Sequence, residues 1–334
     1  MKKIMKSKSF LLFASLIAAG AATNVVINHF ELPIAKVTVK VVDENEVPIH
    51  KANVWLMFKD RLTAKQQDIR GLTDTHGFFT GEGGADVAGI GCGITKDGYY
   101  NSGAPVPKFT EIDEALNHWK PWNETCTVIM RPIGKPVALY AKKIQTQLPE
   151  LDMPCGYDLE AGDWVMPYGK GMKKDLIFKI HKDVRGMQDY DAAGELTFAN
   201  SNDGLLDVHK PVVAYSKFKW ERLAPENGYE SKLQLRKAWF PLGSGRKPIF
   251  SYKKETEWEG YFLRVRTVEQ DGKIVSAYYG KIRGGIEIEP RETPNCTITF
   301  TYYFNPTPND RNLEWDTKKN LFGGLTDMET PRDP

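Results

Sequence analysis

A period of two residues dominates this chain. Lys36-Val37-Thr38-Val39-Lys40-Val41 alternates polar and apolar side chains, the pattern of a half-buried strand. Ala52 to Phe58 repeats it, with Val54, Leu56 and Phe58 on one side, and Thr125 to Arg131 closes a first set. Turn chemistry separates these runs at Asp43 to Pro48, Thr73 to Gly77 and Lys96-Asp97-Gly98. The stretch 104–122 interrupts the pattern. Ala104-Pro105-Val106-Pro107 enters it, Trp119-Lys120-Pro121-Trp122 leaves it, and Glu111 to His118 is predicted to form one or two helical turns. Residues 133–152, with Pro136 and Pro149 inside them, are predicted to be a connector.

Strand patterning resumes from residue 153. Leu176 to Ile180, Glu195 to Ala199, Ile286-Glu287-Ile288 and Thr297 to Phe304 each read as strands. Tyr261 to Arg266 and Ile274 to Tyr279 flank Asp271-Gly272, the pair that most strongly signals a two-residue hairpin turn. Helical periodicity is nearly absent, so the chain is predicted to be all-β, with a first domain over 34–132 and a second, sandwich-like β-rich domain over 153–322. The polar, Pro-ended tail 323–334 is expected to be loose.

The first set carries a resemblance. Val37/Val39/Val41, Asp43…Pro48, Ala52/Val54, Thr73-Asp74…Gly77-Phe78 and Lys96-Asp97-Gly98-Tyr99 stand in an order similar to the carboxypeptidase regulatory-like domain. That resemblance covers residues 34–132 and implies a transthyretin-like Greek-key β-sandwich. It also implies an exported bacterial protein in which the domain is a scaffold, spacer or adhesion module without a catalytic motif. A Gly is usual shortly before the Pro of the first turn. Here Asn45-Glu46-Val47 stands instead, and Asn tolerates a left-handed backbone, so the turn is expected to survive. The segment Leu151 to Gly171 resembles uncharacterised exported bacterial proteins and brings no activity with it.

The N-terminus agrees with export. Lys2, Lys3, Lys6 and Lys8 form a basic head, Phe10 to Ala22 an uncharged run, and Ala19-Gly20-Ala21-Ala22 a small-residue exit. These are the three parts of a secretory signal peptide over 1–22, with cleavage expected after Ala21 or Ala22. The other reading is a retained anchor, for which the run is short against the roughly 20 apolar residues of a spanning helix. Localisation is therefore periplasmic, cell-surface or extracellular. Net charge is +2. Loss of the four lysines would leave a mature chain slightly acidic to neutral, which gives no pull toward nucleic acid.

An oxidising compartment changes the reading of the four cysteines. Cys92 and Cys126 fall in the first predicted domain, Cys155 and Cys296 in the second, so bridges Cys92–Cys126 and Cys155–Cys296 are expected. Free, buried thiols are the alternative. No C-x-x-C or H-E-x-x-H occurs, and His29, His50, His76, His118, His181 and His209 are scattered. No metal ligand or cofactor is assigned. Ca²⁺ is the one ion the loop acids could suit, at Asp158/Glu160/Asp163, Asp203/Asp207 and Asp310/Glu314/Asp316, although the D-x-D-x-D-G spacing is missing.

Ser244 between Gly243 and Gly245 is loop chemistry rather than a nucleophile elbow, and the glycines from Gly81 to Gly93 are expected to mark bulges and bends. No catalytic residue is assigned. Aromatics give the binding hint. Trp119, Trp122, Trp220, Trp239, Trp258 and Trp315 lie near turns or polar segments, and Trp220, Trp239, Trp258 and Trp315 of the second domain are the candidate platform. The sequence thus reads as an exported, non-enzymatic scaffold or binding protein, with carbohydrate or another envelope protein as partner. The alternative is a glycan or peptide hydrolase with its site in the second domain.

Overall fold

The computed structural model describes residues 32–60, 65–86, 90–103, 107, 109–250, 258–292 and 294–334. The expected signal peptide lies outside the described residues, as does Ala104-Pro105-Val106. Every element among the described residues is a β-strand, so the fold is all-β. The chain divides into two compact units, Met1–Met130 and Arg131–Pro334.

The first unit holds β1 (Ile34–Val42), β2 (Asn53–Lys59), β3 (Gln66–Leu72), β4 (Phe78–Gly84), β5 (Ile90–Thr95), β6 (Ser102–Gly103), β7 (Glu111–Asp113), β8 (His118–Lys120) and β9 (Glu124–Ile129). One sheet runs β4-β1-β8-β7 with β9 parallel to β1, and the other runs β3-β2-β5-β6. The period-two pattern explains the packing. Val37, Val39 and Val41 of β1 meet Val54, Leu56 and Phe58 of β2 in one core. Gly81 and Gly83 do not mark bulges, because β4 pairs with β1 residue for residue. They make room instead: a Cβ on Gly81 would lie 2.7 Å from Leu56, and one on Gly83 would lie 2.8 Å from Phe58.

The turns are built by aspartates. The Asp43 carboxylate accepts the Asn45 and Val47 N–H groups, and Asp74 accepts those of His76 and Phe78. The left-handed residue of the first turn is Glu46, at φ 64°, rather than Asn45. Asn45 sits where Asp43 can reach its N–H, which moves the sharp bend one residue on. Gly77 takes φ 79° at the second turn, where a Cβ would lie 2.4 Å from the Val41 carbonyl oxygen. The helical turns expected over Glu111 to His118 are absent. Glu111 pairs with Lys120 and Asp113 with His118 in a β7–β8 hairpin. Asp113 accepts the Ala115 and Leu116 N–H groups, and Asn117 takes φ 48°, so a tight turn forms where composition suggested a helix.

The second unit holds β10 (Val137–Gln147), β11 (Cys155–Asp158), β12 (Asp163–Trp164), β13 (Leu176–Gly186), β14 (Asp189–Thr197), β15 (Gly204–Val208), β16 (Lys232–Trp239), β17 (Gly260–Gln270), β18 (Lys273–Glu289), β19 (Thr297–Asn305) and β20 (Trp315–Asn320). A six-stranded sheet runs β15-β17-β18-β19-β10-β20, and a five-stranded sheet runs β12-β11-β13-β14-β16. Ile144, Leu263, Ile282 and Phe300 of the first pack with Tyr157, Phe178, Leu196 and Leu235 of the second. Asp271 and Gly272 have φ of 50° and 73°, as a type I′ hairpin turn requires. The expected connector 133–152 contains the eleven-residue strand β10, which pairs with β19 and, at its start, with β20.

The tail is also tied down rather than loose. The Tyr303 hydroxyl donates to the Asp333 carbonyl, Arg283 pairs with the Asp333 carboxylate at 3.0 Å, and Lys143 N–H donates to the Glu329 carbonyl.

The four cysteines are free, which overturns the expected bridges Cys92–Cys126 and Cys155–Cys296. Two cysteines per unit is a count, and a bridge needs matched Cβ vectors as well. Cys155 Sγ lies 3.5 Å from the Glu150 carbonyl and Cys296 Sγ 3.7 Å from that of Thr297, so each thiol is directed at backbone. Burial pushes the Cys92 thiol up to about 12 and that of Cys296 up to about 11. All four therefore behave as small apolar core residues.

Candidate functional site

The acids singled out in the sequence are drawn into turns and ion pairs of the second unit. Asp158 and Glu160, together with Asp175, converge on Arg266. Arg266 lies in a β17 bulge at φ 55°, which turns its side chain onto the other sheet's acids. The guanidinium makes 2.7 Å bonds to both oxygens of Asp175 and to Glu160, and it lies over the Phe304 ring at 4.8 Å. Burial acts to raise the Asp158 carboxyl, but the N–H groups of Met172, Ala161, Lys173 and Glu160 hold it below its usual range. Burial wins at Asp175, which is raised despite Arg266.

Asp163 is not in this group. It accepts the Trp164 and Lys170 N–H groups. Asp203 accepts from Thr267, Asp207 from the Trp258 indole, Asp310 and Asp316 from turn amides, and Glu314 from Gly134 and Lys135. Among the described residues no group of three or more His, Cys, Asp or Glu is placed to hold a metal ion.

The tryptophan platform does not assemble. Trp220 and Trp315 are buried, at 5% and 1% exposure, so neither offers a face to a ligand. Trp220 packs edge-on against Phe262, and Trp315 against Tyr303, its Nε1 without a partner among the described residues. Trp239, opposite Tyr190 in the β14–β16 pair, is half-buried. Trp258 is half-buried against Tyr261 and lines a groove of the second unit. In the first unit Trp119 is buried with its indole on the Ala85 carbonyl, while Trp122 is exposed and stacked on His118. Ser244 sits in a turn between two left-handed glycines.

A concavity of 1210 Å³ lies in the second unit. Its floor is β10 from Lys142 to Gln147 with Thr297 and Thr301 of β19, and its wall is the tail from Asp327 to Asp333. Leu148 N–H bonds to the Cys296 carbonyl, so the even-numbered residues of β10 exchange hydrogen bonds with β19. Strand alternation then turns the backbone groups of Ala141, Lys143, Gln145 and Gln147 to the opposite side.

That outer edge is covered only in part. The Asn320 carboxamide accepts the Ala141 N–H and donates to its C=O, imitating a neighbouring strand. The Glu329 carbonyl takes the Lys143 N–H. Among the described residues nothing pairs with the outward N–H and C=O of Gln145, whose side chain is exposed. This edge fell inside the expected connector and was not a candidate in the sequence. The Lys143 to Gln147 alternation around Ile144 was its one available signal.

Two of the groove's cations are already engaged. Lys142 pairs with Glu329 and Arg283 with Asp333. Thr326, through backbone and side chain, holds the Glu329 carboxyl below its usual range.

No family model matches the chain, and no curated protein matches it. Among solved structures, a streptococcal ancillary pilin aligns at 12% identity with a TM-score of 0.20, over 72% of this chain. The chain spans 60% of that pilin's length. A superposition of that quality carries no inference about fold or role.

Proposed function

We propose that this is an exported, non-enzymatic binding protein whose second unit accepts an extended polypeptide, from another protein of the envelope, along the open half of the β10 edge. The observation that carries this reading is the unpaired N–H and C=O of Gln145 in the floor of a 1210 Å³ groove. An open strand edge is a template for a further strand, and main-chain hydrogen bonds supply the affinity. Asn320 and Glu329 blunt the edge at Ala141 and Lys143, so the invitation is confined to the groove. The first unit we read as a carboxypeptidase regulatory-like spacer or adhesion module. Its sheet pairing and the aspartate-built turns at Asp43 and Asp74 support that reading.

Gln145→Pro tests the edge. It removes the outward N–H and leaves the β19 ladder whole, because that N–H faces away from β19. Peptides selected on the full chain from a random displayed library are expected to bind Gln145→Pro about tenfold or more weakly. Equal binding would reject the edge. Turnover of a glycan or peptide that is lost on changing one groove carboxylate would favour the hydrolase.

A further inference from the structure

The outward face of the first unit's β3-β2-β5-β6 sheet carries a second concavity, of 700 Å³, within the range of roughly 300–1,000 Å³ found for small-molecule sites. Register sets its shape. Trp55 of β2 stands between Arg70 of β3 on one flank and Gly93 of β5 on the other. One step along, Asn53 stands between Leu72 and Thr95. The flank of Trp55 on the glycine side therefore carries no side chain. Gly93 pairs in turn with Gly103 of β6, so the bare strip continues outward.

Trp55 is 38% exposed and Leu72 53%, an apolar investment at the surface that asks for a reason. Tryptophan does cover glycine across strand pairs, and that alone would explain an indole near Gly93. It does not explain how this indole is held. Asp68 binds Arg70 at 3.2 Å, and the Gln66 amide secures Asp68 at 2.7 Å. The guanidinium of Arg70 lies over the Trp55 ring at 5.3 Å. The held cation thus backs the ring from one side. A ring fixed before binding loses less freedom when a ligand arrives.

We infer that this trough is a carbohydrate site, in which a pyranose ring lies against the Trp55 indole and its hydroxyls bond Asn53 and Thr95. The chemistry selects the ligand. A pyranose has an apolar C–H face, which suits an indole, and a rim of hydroxyls, which suits an amide and a hydroxyl. A purely apolar ligand would leave those two groups without new partners. The site is independent of the β10 edge and belongs to the other unit.

The test uses the full chain and a panel of soluble hexose and N-acetylhexosamine oligosaccharides, read by tryptophan fluorescence and by saturation-transfer NMR. At least one member is expected to bind. Trp55→Ala should weaken it by about tenfold or more, the loss typical of removing an aromatic anchor, and Trp55→Tyr should restore part of the affinity. Gly93→Val supplies a second reading if Trp55→Ala does not fold. A Cβ there meets Trp55 at 3.5 Å, an ordinary contact, and the γ-methyl groups of Val fill the trough. Failure of every sugar to bind, or binding unchanged in Trp55→Ala or Gly93→Val, overturns the proposal. Peptide binding at the β10 edge is left intact by either variant.

Discussion

Lys281 shows how far one side chain can depart from its composition-based expectation. It lies mid-strand in β18, 3% exposed, with Nζ donating to the Leu313 carbonyl at 3.0 Å and 4.7 Å from the Tyr303 ring centroid. Burial, with Arg283 adding and Glu314 opposing, lowers its amine to about 7 from an ordinary 10.5. The folded state then binds fewer protons than the unfolded state between those values, so stability rises with pH across that window. Lys281→Met is expected to flatten the rise, measured as urea midpoints from pH 7 to 10. An unchanged slope would mean another group titrates there.

Arg266 is the opposite case, a half-buried cation kept charged by Asp175 and Glu160. Arg266→Leu should cost about 3–5 kcal/mol in urea unfolding, because it strands Asp175 without its counter-ion. The cysteines give a simpler outcome. The denatured protein should take four alkyl groups without prior reduction, and the native protein should react slowly, since three of the thiols are buried and Cys92 is half-buried. A protein two alkyl groups short would restore a bridge.

At the scale of elements, hairpins were legible where their turns carry chemistry. Asp271-Gly272 closes β17 onto β18 as its residues require, and Gly272→Ala should cost about 1–2 kcal/mol by placing a Cβ at φ 73°. Circular-dichroism melts would check this. β7–β8 was misread because the composition of Glu111 to His118 suggested helical turns, and β10 because prolines at 136 and 149 outweighed short apolar runs such as Val137-Ala138-Leu139 and Ile144, which have little periodicity of their own. β10 becomes a strand because β19, with Ile298, Phe300 and Tyr302 facing the core, offers it a partner far along the chain. The edge it leaves open is a property of the sheet, and no residue type announces it.

At the scale of the molecule, two compact units with separate cores set the expectation for unfolding. The second unit's core is the larger, drawing on both of its sheets. Differential calorimetry should resolve two transitions, and a chain carrying Arg266→Leu should shift only one of them. A single transition that moves as a whole would show the units to be energetically coupled.

What the sequence determined by itself was local. Period-two alternation, Asp-Gly and aspartate-led turns act over a few residues, so strand identity, the all-β class and most hairpins could be read directly. What the tertiary structure decided was which side chains meet. Trp220 and Trp315 went inward because neighbouring strands enclosed them, and Trp55, an ordinary member of an alternating strand, stayed out beside Gly93. Asp158, Glu160 and Asp175 gathered on Arg266, about a hundred residues away in the chain, because a bulge turned it toward them. Pairing across such distances depends on sheet order and register. Those follow from the packing of whole faces, which no short spacing in the sequence records.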